Sequence, residues 1–128
     1  MNDFNLTINK GVELMGGMTS PIGVIANVQY MNVLDAEPKT IYQVVLYLNQ
    51  TELDNKNPLM FKKIEFNAET MQGINDISTI QGVCATTDYT FETDTQGALT
   101  QASIDTLKPL VITEIANALV GIVEADIS

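Results

Sequence analysis

Residues 25–50 read IANVQYMNVLDAEPKTIYQVVLYLNQ, and the reading of this stretch decides the fold. Ala26-Asn27-Val28-Gln29-Tyr30 alternates apolar and polar side chains, the period of a strand with one covered face. Tyr42, Val44, Leu46 and Leu48 repeat that period. Between the two runs lies Leu34-Asp35-Ala36-Glu37-Pro38-Lys39, a short polar segment broken by a proline. Strands over 22–33 and 40–49 joined by this turn form a long antiparallel hairpin. They exceed the usual length of about five or six residues. A hairpin of that length is either the twisted centre of a sheet or a projection that pairs with a neighbour.

Working outward, Phe4, Leu6 and Ile8 share one face of a short strand over 3–8. GVELMGGMTS at 11–20 is a loop carrying Val12, Leu14, Met15 and Met18, apolar residues that have to be covered by the chain's own core or by a neighbour. Downstream, 50–58 is a polar loop ending in Pro58, and 60–66 is a strand with Ile64 and Phe66 inward. The spacing of Ala68, Met71, Ile74 and Ile77 predicts a short helix over 68–80, with Asn67 as its N-cap. Period two returns over 83–93. There Val83, Ala85, Tyr89 and Phe91 are expected on one face, and Cys84, Thr86, Asp88, Thr90 and Glu92 on the other. Asp94-Thr95-Gln96-Gly97 is a turn.

From there to about residue 124 the pattern is helical, with a stripe of Ile104, Leu107, Val111, Ile115, Ala118, Leu119 and Ile122. Pro109 either kinks this helix or begins its second half. Leu110, Ile112, Val120 and Val123 widen the apolar surface beyond one stripe. Such a helix is central to its domain or shared with a partner. It is too short and too often interrupted, by Lys108, Pro109 and Glu114, to span a membrane, which takes about 20 apolar residues. The expected fold is α+β: a single domain over 1–128 with an antiparallel sheet, a long hairpin, one short helix and a longer C-terminal helix.

The 128 residues carry 16 acidic and 6 basic side chains, a net charge of −10, and 45% hydrophobic residues, enough for a sizeable core. All the basic residues are lysine; arginine, histidine and tryptophan are missing. Bidentate phosphate or carboxylate recognition therefore has no guanidinium, and general acid–base catalysis lacks its commonest group. Only Lys62 and Lys63 cluster, so no basic footprint for sequence-specific nucleic-acid binding is present. Cys84 is the one cysteine, which excludes an intrachain disulfide and fits a reducing compartment. The N-terminal MNDFNLTINK lacks the pattern of a secretory signal.

Near-misses to catalytic motifs have no mechanism behind them. Gly11 to Met18 has P-loop glycine spacing, but Gly17 and Met18 stand where lysine and a hydroxyl residue would touch phosphate and Mg²⁺. Asp94-Thr95-Gln96-Gly97 inserts a glutamine into an Asp-Thr-Gly turn and has no second copy. The acidic stretches Glu52–Asn57 and Asp88–Asp94 lack EF-hand order. Cys84 and the serines have no histidine to activate them. No catalytic, cofactor or metal residue is assigned. A carboxylate-only mechanism such as glycoside hydrolysis stays compatible with the residue types, without the tryptophan platforms usual in sugar clefts.

The strand–hairpin–strand–helix layout, with 25–50 as hairpin and TLKPLVITEIANALVGIVEADI at 106–127 as terminal helix, resembles small virion proteins of tailed bacteriophages: head–tail connectors, tail terminators and tail-tube subunits. No diagnostic motif is shared, so no residue role is carried over. The resemblance implies a non-enzymatic, ring-forming homo-oligomer, assembled in the host cytoplasm into a virion, that meets other virion proteins through hairpins and sheet edges. The expected contact residues are Leu14, Met15 and Met18 in the first loop, Asp35, Glu37, Pro38 and Lys39 at the hairpin tip, and Ile112, Ala116 and Val120 on the outer helix face. Two other classes compete. An acidic inhibitor mimicking nucleic acid requires its carboxylates in a stripe. A small-ligand-binding α+β domain requires an enclosed pocket of roughly 300 Å³ or more with convergent polar groups.

Overall fold

A computed structural model describes residues 2–14, 18–59, 64–66, 73–75, 79–85, 89 and 91–128. Its main sheet has four strands, all antiparallel, in the order β1-β2-β3-β6. These are β1 (Asn2–Ile8), β2 (Val24–Val33), β3 (Lys39–Tyr47) and β6 (Thr79–Ala85). A separate two-stranded ribbon pairs β4 (Ile64–Phe66) with β5 (Gly73–Asn75). The helices are α1 (Gln50–Asp54) and α2 (Gln101–Ala118), followed by a 3₁₀ turn at Glu124–Asp126.

The long hairpin is β2–β3, with Ile25 opposite Tyr47 at its base and Val33 opposite Lys39 at its tip. It forms the centre of the sheet and does not project, because β1 lines one side from Asn2 to Ile8 and β6 the other from Lys39 to Val45. One face is dry: Leu6, Ile8, Val24, Ala26, Val28, Val44 and Leu46 are buried, with Tyr30, Tyr42, Ile80 and Cys84 beside them. The alternation read from the sequence therefore gives the right face for β1, β2 and β3.

Helix α2 covers that face with Leu107, Val111 and Ile115, all fully buried and each four residues from the next. Thr100 caps it by accepting from the Ser103 backbone N–H at 3.3 Å. Pro109 sits within one continuous helix, leaving the Asp105 carbonyl without its usual donor on a solvent-exposed side. The helix ends at Ala118, earlier than the expected residue 124. Gly121, at φ 78°, turns the chain back in a conformation that side chains rarely adopt. Leu119, Ile122 and Ile127 then return to the core.

Three assignments are corrected. The short helix is α1 at 50–54, within the segment read as a polar loop, where Asn49 accepts from the Glu52 N–H at 3.0 Å. Gly73–Asn75 and the start of β6 are strand where a helix over 68–80 was expected; 67–72 and 76–78 lie outside the described residues. The strand expected over 83–93 begins earlier, at Thr79, and in it Cys84 is buried against the core with Val83 outward. Apolar residues occupy both phases of TIQGVCA, so periodicity alone does not choose. The third strand begins at Ile64 in the described residues, and the facing of its side chains lies outside them. The 94–97 turn holds: the Asp94 carboxylate accepts from Gln96 N and Ala98 N, and Gly97 at φ 83° closes the reversal.

Candidate interaction surface

The outer face of the sheet is built from the residues that alternate with the core. Rows run across the strands. Asp3, Gln29, Gln43 and Gln81 are opposite one another, and the next row toward the hairpin tip is Met31, Ile41 and Val83. Amides link the polar part of this face. Asn27, only 3% exposed, donates to Asp3 Oδ2 at 3.0 Å and Asn5 Oδ1 at 2.7 Å. Gln29 donates to Asn27 Oδ1 at 2.9 Å and accepts from Gln43 Nε2 at 2.6 Å. The ladder holds three strands in register through their side chains.

The Met31–Ile41–Val83 row has no such reason to face water. These side chains are 52%, 37% and 57% exposed, and they line an open depression of about 330 Å³ together with Gln29, Gln43 and Gln81. Adjacent apolar residues left exposed across three strands mark a contact surface more than a scattered surface residue does. Sequence reading missed this row. Its signal is that Met31 and Ile41 are apolar at positions out of phase with the core.

The expected contact residues lie on separate parts of the molecule. Met18 is 69% exposed and Leu14 half-buried, in a small loop where Leu14 N donates to Met18 O at 2.7 Å; Met15 lies outside the described residues. Val12, from the same loop, is buried, and Ser20 Oγ accepts from its N–H at 2.9 Å. Asp35 and Glu37 are exposed at the hairpin tip, while Pro38 and Lys39 are half-buried. The tip and the loop lie at opposite ends of the ten-residue β2. Ile112 and Ala116 are half-buried against the chain's own core; Val120 lies past the helix end and is 74% exposed. Lys10 Nζ donates to Gly121 O at 2.8 Å, which ties the start of the loop to the turn beside Val120.

Buried polar groups here serve structure. Tyr89 donates to Thr40 Oγ1, which donates to Asn32 Oδ1 at 3.0 Å, and Asn32 Nδ2 donates to Gly97 O at 2.5 Å. This chain joins the hairpin tip to the 93–99 turn. Burial pushes the phenols of Tyr30, Tyr42 and Tyr89 above the usual tyrosine range, so they stay neutral. A second depression, about 230 Å³, lies between β6 and α2, with Tyr42, Cys84, Leu110 and Glu114 in its wall. Among the described residues no group of three or more His, Cys, Asp or Glu is placed to hold a metal ion, and no helix is long and apolar enough to cross a membrane. Comparison with family models, curated proteins and solved structures finds no match for this chain.

Proposed function

We propose that this protein is a non-enzymatic structural subunit of a larger protein assembly, and that the assembly is the neck or tail of a tailed-phage particle. The observation that supports an assembly role is the exposed apolar row Met31–Ile41–Val83 on the outer sheet face. Burying such a row contributes about 25 cal/mol per Å² of apolar area, an incentive that a partner realises and water does not. The phage placement rests on the layout of the long hairpin and terminal helix. The two depressions are open to solvent rather than enclosed, which favours protein contact over capture of a small molecule.

The test is the state of the protein in the extract or particle it comes from. Native mass spectrometry and sedimentation should find it in a complex larger than a homodimer, together with other virion proteins. Replacing Met31, Ile41 and Val83 together by serine should release it from that complex while leaving it folded. A protein that sediments there as a free 14.0 kDa monomer would sink the reading.

A further inference from the structure

We infer that the outer edge of β6 is where two copies of this chain join, antiparallel and about a twofold axis at Val83, to make one eight-stranded sheet. The inference rests on the assembly reading and names its first partner.

The two edges of the sheet are unequal. On the β1 edge the C-terminal segment pairs with the Thr7–Asn9 end, and Asp3 puts a charge on the rest: Thr7 N donates to Ser128 O at 2.8 Å, Ser128 N to Thr7 O at 3.0 Å, and Asn9 N to Asp126 O at 2.6 Å. Ile8 and Ile127 form the matching bridge. Among the described residues nothing pairs with the outer edge of β6. An open edge is a template for another strand, and folded proteins guard it with charge or proline. The β6 sequence TIQGVCA has neither, in a chain that carries 22 charged residues (16 acidic, 6 basic).

The side chains choose a second copy as the occupant. The exposed row Met31–Ile41–Val83 runs to this edge and stops there. An antiparallel partner strand with its axis at Val83 places the two Val83 side chains opposite each other, about 4.5–5.5 Å apart at Cβ. The row then continues through the partner's Val83, Ile41 and Met31, a single apolar line across six of the eight strands. The same register sets Gln81 opposite Ala85, and Gly82, which has no side chain, opposite Cys84. No like charges meet. Pairing through β6 uses the same edge of each copy about a twofold axis, so this contact closes at two.

The experiment uses the full-length isolated protein. Light scattering or sedimentation equilibrium up to about 100 μM should give twice the monomer mass; at that concentration a dimer with a Kd of about 10 μM is mostly formed. Val83→Lys and Val83→Asp each place like charges opposite one another and should weaken the dimer by at least about tenfold. Far-UV circular dichroism should stay unchanged, because Val83 is 57% exposed. A one-to-one mixture of the two variants places opposite charges face to face and should restore a dimer containing one of each. A wild-type monomer throughout, dimers that survive both substitutions, or a mixture that stays monomeric would each overturn the inference. If the isolated chain is monomeric but sits with other chains in its natural particle, the edge inference fails and the assembly reading stands. If the isolated chain dimerises but is found in no larger complex, the assembly reading fails and the edge inference stands.

Discussion

Gly82 offers the sharpest test of the packing. It lies opposite Tyr42 on the covered face of the sheet. A Cβ added there would fall 2.5 Å from Tyr42 Cζ and 2.8 Å from Cε1. Carbon atoms prefer about 3.5–4.0 Å, so the ring would have to move by roughly 1 Å. Tyr42 is 3% exposed and packed within the core, so it cannot swing into water. Overpacking of this kind costs about 1–3 kcal/mol, while alanine in a strand is otherwise about 0.5–1 kcal/mol better than glycine. Gly82→Ala should therefore destabilise by about 1 kcal/mol and at most about 2.5 kcal/mol, the central value being about 4 °C in Tm for a chain of this length. With Tyr42→Val the obstacle is gone, and the same substitution should stabilise by about 0.5–1 kcal/mol. The cycle is best run by urea denaturation in the Val83→Lys background, where edge pairing does not contribute. A coupling energy below about 0.5 kcal/mol between positions 82 and 42 would refute the close packing of ring on glycine.

Other substitutions separate core from surface. Ile112→Asp places a carboxylate against the core and should cost at least about 2 kcal/mol, whereas Val120→Asp should stay within about 0.5 kcal/mol of wild type by chemical denaturation. Equal costs would reverse the assignment of the two positions. Thr40→Val leaves the buried Tyr89 hydroxyl without its acceptor and should cost about 1–3 kcal/mol. Tyr89→Phe removes only a donor and should cost about 1 kcal/mol. The opposite order would mean that the polar chain is not arranged as described. The three buried phenols hold their protons in the fold at pH values where the unfolded chain, with tyrosine near pKa 10, has released them. The native state then binds more protons, so stability is full below about pH 10 and falls as pH rises beyond it. Urea midpoints that stay level between pH 8 and about pH 11 would contradict that burial.

Much of the fold is legible in the residues. The alternation of Phe4–Ile8, Ala26–Tyr30 and Tyr42–Leu46 fixes three strands and their covered face, because in each run one phase is wholly apolar and the other is polar except at Val45. The stripe Leu107–Val111–Ile115 fixes the helix that covers them. Elsewhere local signals conflict. A three-residue spacing at 68–77 passes for a helix when Gly73–Asn75 pair as a strand, since tertiary pairing overrides weak propensity. Asn49 caps a helix of one turn that composition reads as loop.

The candidate site was the least legible part. The sequence by itself determined the class of fold, the hairpin, and the missing arginine and histidine that remove common chemistries. Only the tertiary structure decided which apolar residues stay in water. In β6 both phases are apolar, and Val83 turns outward because α2 packs on the side of Cys84 and Ile80. Register does the rest. Met31 and Ile41 face each other across the hairpin, and Val83, more than forty residues further on, joins them only when β6 aligns on β3. The same alignment decides the edges: residues 126–128 return to pair with Thr7–Asn9, which leaves β6 as the outermost strand on the other side. Local periodicity carries no information about contacts between such distant segments, and those contacts are what set this protein's exposed surface.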